Sequence, residues 1–240
     1  FGKFSSEESL APFALTVTDF HAKYDPKTNA PEDYKLDVEI SYPIESKAVH
    51  KVIKVNSPLT YGSTKIYLQA NGYSPMVSIK DKTGKIEFEG AVPFLPQDGN
   101  LTSSGAIKLP DANPQIGIIG TFTPTYSMTN SKGAVSAFPE SLDPRLVFSV
   151  WSGNLGLDSG IPQSVYRVDT SKMTRIGLKS LKVGETYNFN EGSITFVGWK
   201  PWVNIEVGRD PGKLISLFGA LFAVMGLLAS LFIGHRKEEV

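Results

Sequence analysis

Three histidines are the residues of this chain best suited to acid–base or metal chemistry: His21, His50 and His235. No two of them stand at the spacing of a metal-binding motif such as HxH or HExxH. We therefore interpret His21 and His50 as strand histidines at or near the surface, with haem or metal ligation as the alternative. His235 follows a long apolar run, where we predict an anchor among lipid headgroups.

Nucleophilic chemistry has as little support in the sequence. The chain has no cysteine, which excludes disulfides, thiolate metal sites and thiol nucleophiles within it. Its serines form no GxSxG elbow, and no phosphate-binding loop or dinucleotide fingerprint is present. A hydrolase or transferase site assembled in space from Ser, His and Asp stays open as an alternative. We assign no catalytic residue and no metal ligand.

The longest apolar run covers residues 214–234 and contains no charged side chain. An α-helix of about 20 apolar residues crosses the hydrocarbon core of a bilayer. We predict a transmembrane helix at 214–234, preceded by a juxtamembrane segment at 209–213 and followed by a tail at 235–240. Basic residues are balanced on the two sides of the run, so their count does not orient the helix.

Side chains in and around this run predict two kinds of membrane contact. Aromatic and basic residues on its two sides favour the membrane interface: Trp199, Trp202, His235, Arg236 and Lys237. For the two tryptophans, a haem-stacking surface is the alternative. Small residues recur on one helical face, which predicts close packing against another helix: Gly219, Ala223, Gly226 and Ser230.

The elements that would position these side chains are strands, because residues 1–208 show a period of two. Leu36, Val38 and Ile40 alternate with polar residues, as in a half-buried strand. Similar runs predict strands at 13–18, 49–55, 64–70, 76–80, 85–92, 145–151, 164–169, 185–189, 193–197 and 202–207. Asp81 to Gly84 predicts a hairpin turn. Residues 94–144 are rich in Pro, Gly, Asn and Ser, which predicts long ordered loops.

The predicted fold class is therefore all-β: an antiparallel β-sandwich-like domain followed by one C-terminal transmembrane α-helix. The chain carries 24 basic and 24 acidic residues, and this balance gives no electrostatic footprint for nucleic acid. It begins with Phe1 rather than methionine. We expect it to be a piece of a longer protein with further segments upstream.

Short segments distributed along the chain resemble those of the ResB family of cytochrome c biogenesis proteins, in its actinobacterial form. In order they are VNSPL at 55–59, YL at 67–68, GYSP at 72–75, VPFLP at 92–96, SSGAIKLPD at 103–111, FP at 138–139, DP at 143–144, NLGLD at 154–158, SVY at 164–166 and DPG at 210–212. Each is weak alone. Their order, followed by a terminal apolar helix, is specific.

The resemblance implies a subunit of the type II cytochrome c maturation system. Residues 1–208 would be an extracytoplasmic domain, and the tail at 235–240 would lie in the cytoplasm. The partners would be a multi-span ResC-type protein, apocytochrome c and membrane lipid, with no nucleic acid. Haem would be handled in the complex with ResC, and we assign no cofactor-binding residue in this chain. The expected role is a scaffold rather than an enzyme.

A membrane-tethered binding or display module without a haem role is the alternative function. It predicts a helix that works alone, so that filling the small-residue face would have no effect. The scaffold function predicts lost assembly from the same change. For the scaffold, residues 94–144 are the expected contact surface, because loops on a rigid sheet commonly carry binding.

Overall fold

The structure is a computed structural model that describes residues 12–61, 64–131, 133–157, 160, 162–209 and 212–235. These residues form one helix, α1 (Lys213–His235), and fifteen strands. The strands are β1 (Ala14–Tyr24), β2 (Pro31–Ser41), β3 (Val49–Lys54), β4 (Leu59–Tyr61), β5 (Thr64–Asp81), β6 (Ile86–Ala91), β7 (Leu95–Pro96), β8 (Ser103–Leu109), β9 (Gln115–Thr123), β10 (Tyr126–Thr129), β11 (Gly133–Ser136), β12 (Arg145–Gly153), β13 (Met173–Lys182), β14 (Thr186–Phe189) and β15 (Gly192–Arg209).

The described strands assemble into antiparallel sheets. β1, β2 and β3 form a three-stranded sheet, and β10 and β11 form a hairpin. One five-stranded sheet has the order β13-β12-β9-β8-β7. The other has the order β14-β15-β5-β4, with β6 also pairing with β5. The predicted all-β class is confirmed.

The strands before α1 form the β-rich part of the chain, at residues 14–209, which we call the body. A long two-stranded ribbon runs through it. β5 and β15 each have 18 residues and pair along their whole length, from Asp81 opposite Gly192 to Thr64 opposite Arg209. The register shifts twice, between Phe196 and Gly198 and between Asn204 and Ile205. The ribbon contributes side chains to both hydrophobic cores and leads towards α1.

The larger core lies between the two five-stranded sheets, as in a β-sandwich. Phe94, Phe122, Phe148 and Phe196 are its largest fully buried side chains. The smaller core lies between the three-stranded sheet and the other end of the ribbon. It contains Leu36, Val38, Ile40, Ile53 and Ile66, all at most 1% exposed.

The prediction of long loops at residues 94–144 was wrong. This range contains β7 to β11, and most of β8 and β9 is buried. Period-two alternation is weak there because side chains on both strand faces are buried. Gly105 and Gly120 stand opposite each other, and the ring of Phe94 occupies the space above them.

Where the other strand predictions differ from the structure, they do so in three ways: two pairs of predicted strands are each a single strand, one predicted strand is absent from the described residues, and one strand was missed. The predicted pairs at 64–70 with 76–80 and at 193–197 with 202–207 are each one continuous strand, β5 and β15. The strand predicted at 164–169 is wrong, because these residues form a turn and irregular chain. Strand β13 (Met173–Lys182) was missed.

The hairpin turn predicted between β5 and β6 is confirmed. Gly84 has a φ of +88°, which glycine adopts without steric cost. The Asp81 carboxylate accepts hydrogen bonds from the Thr83 hydroxyl at 2.6 Å and from the Thr83 and Lys85 N–H groups at 2.8 and 3.0 Å. The hydroxyl contact in particular lowers the pKa of Asp81.

Helix α1 coincides with the apolar run of the sequence. Every residue from 215 to 231 is exposed to solvent. Among the residues that the structure describes, no helix combines the length and the hydropathy needed to cross a bilayer. The helix itself is confirmed, and its placement in a membrane is not.

Candidate functional site

Two of the three histidines meet on the outer face of the three-stranded sheet. Leu36, Val38 and Ile40 of β2 point into the smaller core, so the alternation of the strand turns Asp37 outward. Its carboxylate lies 2.9 Å from Nε2 of His50 and 3.7 Å from Nε2 of His21. The sequence did not predict this meeting, because strand pairing joins residues far apart in the chain.

This arrangement favours exposed polar contacts between side chains over catalysis. The side chains of His21 and His50 are 62% and 60% exposed, and His21 also lies 3.1 Å from Asp19. General acid–base catalysis needs a substrate held against the imidazole, and an open sheet face provides no such enclosure. Within the described ranges, no group of three or more His, Asp or Glu is arranged to hold a metal ion.

An aromatic cleft lies where the three-stranded sheet meets the ribbon. It has a volume of about 230 Å³ and is bordered by Phe20, Tyr24, Tyr73 and Trp199. The rings of Tyr73 and Trp199 are nearly perpendicular, with centroids 5.0 Å apart. His21 borders the cleft from β1, but its Nε2 faces Asp19 and Asp37 instead.

The two tyrosines of this cleft are held neutral by their surroundings. Burial, more than any other cause, raises the pKa of both Tyr24 and Tyr73. The Tyr73 hydroxyl donates to the carbonyl of Pro139 at 2.9 Å. Such a hydroxyl serves as a hydrogen-bond donor rather than as a general base. The cleft is therefore a packed junction between the two cores with little capacity for proton transfer.

Both tryptophans predicted at the membrane interface take part in packing of the body. Trp199 is half-buried against the larger core. Nε1 of Trp202 donates to the carbonyl of Phe94 at 3.0 Å, and its ring covers Gly72. Contact of these rings with lipid or haem remains a prediction.

The predicted packing face of α1 is open in the structure. Gly219, Ala223, Gly226 and Ser230 are all exposed, and no atom lies within 4 Å of a Cβ built on either glycine. His235 is the last residue of the helix. Arg236 and Lys237 lie outside the described residues, so their predicted role at the interface is untested.

One cleft that the sequence did not predict lies at the end of the ribbon far from α1. It has a volume of about 460 Å³ and is bordered by the β5–β6, β8–β9 and β14–β15 turns. Asp111 and Asn113 reach it from the segment expected to form the contact surface. Glu191 also borders it, and the Oε2 atom of Glu191 is buried without a hydrogen-bond partner.

Comparison with known proteins identifies the chain through one family. The sequence profile of the ResB-like family matches residues 2–238. No curated protein and no solved structure matches the chain significantly. Because the match covers almost the whole sequence, this chain belongs to the ResB-like family, which is associated with cytochrome c biogenesis.

Proposed function

We propose that this chain is part of a membrane subunit of the type II cytochrome c maturation machinery. It works with a ResC-type partner in delivering haem and attaching it to apocytochrome c outside the membrane. The observation that carries the proposal is the family match across residues 2–238. In this proposal the body is extracytoplasmic, α1 is the last transmembrane helix and the C-terminal tail is cytoplasmic.

The character of α1 supports its proposed place in the membrane. The helix has 23 residues, which at about 1.5 Å per residue gives a length of ~35 Å. Large apolar side chains are exposed along it, including Ile215 at 76%, Phe222 at 69% and Leu231 at 70%. Water would solvate such a surface poorly, whereas lipid or another apolar helix would cover it.

The connection between the body and the helix supports a tethering role. β15 reaches Arg209, and the first described turn of α1 is closed by the Ser216 N–H, which donates to the Gly212 carbonyl at 2.9 Å. β15 also runs through both cores. A short link from a strand so firmly packed limits how far the body can move relative to the helix.

We propose a scaffold role because positioning alone can accelerate the attachment reaction. Haem attachment joins haem vinyl groups to thiols that belong to apocytochrome c, so the absence of cysteine from this chain is compatible with the chemistry. Holding two reactants in one place converts a bimolecular step into an effectively unimolecular one. Haem itself is assigned to the complex with ResC.

The proposal is tested by purifying the full-length parent protein from membranes in mild detergent. The sample is read by its absorption spectrum and by identification of the proteins that accompany it. We expect a multi-span ResC-type protein together with a haem Soret band. A colourless protein that purifies without a multi-span partner contradicts the proposal and favours the display module.

The small-residue face of α1 gives a second test of the same proposal. Replacing Gly219 and Gly226 by leucine fills this face, and we expect the ResC-type partner to be lost from the purified sample. At 100° per residue, Leu221 and Leu228 lie on the opposite side of the helix. Their replacement by phenylalanine enlarges the side chains on that side instead and should leave the partner bound. Retention of the partner by both pairs of variants contradicts a packing face.

A further inference from the structure

In the part of the chain that the structure describes, strand β5 is paired on one edge along its whole length, but on the other edge only towards its two ends. β4 covers Thr64 to Ile66, and β6 covers Met76 to Lys80. Beyond β6, the N–H groups of Val92 and Phe94 donate to the carbonyls of Pro75 and Tyr73 at 3.0 and 3.2 Å. Within the described chain, no strand covers residues 67–72 on this edge. We name residues 67–72 the edge gap.

The edge gap presents main-chain groups that have the geometry to pair with another strand. The N–H and C=O of one strand residue point to the same edge, and successive residues alternate between the two edges. Because the Tyr73 carbonyl accepts from Phe94 on the outer edge, the N–H and C=O of Asn71 face that edge too. Asn71 is opposite Val203, in a pair whose main-chain groups point away from β15.

A groove borders the edge gap. Its volume is about 670 Å³, and Gln69 and Ala70 at its floor are exposed. The lining residues combine apolar surface, as at Val55 and Pro58, with amide groups, as at Asn56 and Gln69, and Lys65 is the single charged one. A wall with no carboxylate and one ammonium favours a neutral polar chain over a strongly charged ligand.

We propose that the edge gap binds an extended peptide segment as an added β-strand. The occupant is the unfolded segment of apocytochrome c that carries the haem-attachment cysteines, a choice that rests on the proposed function. In this mode of recognition the main chain supplies affinity, and pockets for alternate side chains supply specificity. Gln69 is the extra residue at the register shift, so the five regular residues of the gap, at about 3.4 Å each, span ~17 Å and accept a segment of about five residues.

Two features distinguish the edge gap from the outer edges of β1 and β13, which pair with no further strand among the described residues. Those edges lie at the margins of their sheets. The edge gap is closed at both ends, by β4 and by the chain at Val92 and Phe94, which selects a short segment. It also lies at the end of the ribbon near α1, because Lys65 stands opposite Gly208. A bound segment would therefore lie close to the proposed membrane surface.

The first experiment maps the peptide by disulfide cross-linking to the full chain in detergent. Because the chain has no cysteine, Ala70→Cys introduces a single thiol into the groove. The probe is a nine-residue peptide with a Cys-X-X-Cys-His core whose second cysteine is replaced by serine and whose first cysteine is activated as a mixed disulfide with thionitrobenzoate, which leaves as the thiolate when the protein thiol attacks the cysteine sulfur. The control is Thr174→Cys, at an exposed position on the outermost strand β13.

We expect the peptide to cross-link to Ala70→Cys at least tenfold faster than to the control. Equal rates at the two positions, or no cross-linking at either, contradict the proposal. Disulfide-linked dimers of Ala70→Cys that form without peptide, and that peptide does not suppress, indicate that a second copy of the chain occupies the groove. That result overturns the assignment of the occupant.

The second experiment tests whether the bound peptide forms a strand. An added strand directs every second N–H towards β5, so two peptides methylated on alternate sets of amides should differ. The set that faces β5 should lose affinity by about 30-fold, because two net hydrogen bonds of ~1 kcal/mol each are removed. The other set should bind as the parent peptide does. Equal affinity of the two methylated peptides contradicts strand addition.

A cellular experiment separates this proposal from the proposed function. Ala70→Trp fills the groove, and Ala91→Trp adds the same bulk at an exposed position on β6. We expect cytochrome c maturation to fall in the first variant and to be retained in the second, with both proteins melting like the wild type. If deleting the protein abolishes maturation but Ala70→Trp does not, the edge gap is refuted and the proposed function stands. If deletion leaves maturation intact, the proposed function fails, and the peptide experiments still decide whether the groove binds.

Discussion

Replacing Gly105 by alanine is expected to destabilise the body by about 3 kcal/mol, at the upper end for inserting one methyl group into a packed core. A Cβ at this position would lie 2.2 Å from Cδ1 and 2.5 Å from Cε1 of Phe94. Carbon atoms in ordinary contact are about 3.5–4.0 Å apart, so the ring would have to retreat by more than ~1 Å. The paired Gly120 borders the same ring, and a Cβ built on it would already lie 3.0 Å from Cε2 of Phe94.

The strain should spread beyond Phe94, because its main chain is hydrogen-bonded to both strands of the ribbon. Its N–H donates to the Tyr73 carbonyl at 3.2 Å, and its carbonyl accepts from Trp202 at 3.0 Å. A displaced Phe94 weakens both contacts. The tryptophan fluorescence of the folded protein should therefore change together with its stability.

The assay is thermal unfolding of the full chain in detergent, followed by circular dichroism and by tryptophan fluorescence. For a protein of this size, about 3 kcal/mol corresponds to a decrease in Tm of ~6–12 °C. The matched control is Gly198→Ala, on a strand position where no atom lies within 4 Å of the added Cβ. Phe94→Leu should recover part of the stability of Gly105→Ala, because the smaller side chain leaves room for the methyl group. A Tm for Gly105→Ala within about 1 °C of the wild type would refute the argument that Gly105 is needed to make room for the ring of Phe94.

Three further predictions concern the groups around the candidate sites. Trp202→Phe removes the hydrogen bond to the Phe94 carbonyl and should lower the free energy of unfolding, measured by chemical denaturation, by about 1 kcal/mol. An unchanged denaturation midpoint would show that this hydrogen bond makes no net contribution to stability. The raised pKa of Tyr24 and Tyr73 means that the folded state keeps protons that the unfolded state loses, so stability should be fully present below pH ~10 and fall above it. Tyr73→Phe should flatten this alkaline decline in melting temperature, and an identical slope in the variant contradicts the burial argument. Asp37→Asn should change the free energy of unfolding by less than ~1 kcal/mol and leave cytochrome c maturation intact, since both imidazoles beside it are exposed. Loss of maturation in a folded variant would favour a catalytic or ligand-binding role for the two histidines.

The sequence predicted those strands that keep one face in water. β2 is the clearest case, because Leu36, Val38 and Ile40 are buried while the residues between them are half-buried or exposed. Apolar and polar residue types therefore alternate along β2, and the period of two can be recognised from the sequence. β8 and β9 lack this contrast, since buried small residues on both faces replace the usual alternation. Glycines in this range indicated loops, whereas in the structure Gly105 and Gly120 leave room for Phe94.

The length of the ribbon strands could not be read from the sequence for a different reason. Gly72 and Pro75 interrupt β5, and Pro201 interrupts β15, so each strand was predicted as two. A proline is compatible with a ladder where its nitrogen faces away from the paired strand. The Pro75 carbonyl accepts from Val92 on the outer edge, so its nitrogen faces that edge and not β15. Such positions are defined by strand pairing, which the sequence alone did not reveal.

The candidate sites were harder to predict than the fold because they depend on pairing between distant strands. The shared contact of His21 and His50 with Asp37 follows from the register of three strands. The edge gap depends on where β4 ends and β6 begins along β5. The VNSPL and YL segments that carried the family resemblance line the groove at Val55, Asn56, Pro58, Tyr67 and Leu68. Sequence similarity thus marked these residues without indicating that they lie together.

The ribbon gives the two proposals a common physical basis. β5 and β15 are paired through two register shifts and are covered by both cores, so local opening of the ribbon would expose much buried apolar surface. From Asn71, opposite Val203, to the start of α1 is about ten residues, or at most ~33 Å of extended chain. A peptide bound at the edge gap would thus be held within a fixed distance of the proposed membrane helix. A scaffold that fixes this distance increases the effective concentration of the apocytochrome thiols near haem, whereas a peptide bound on a mobile loop would gain much less.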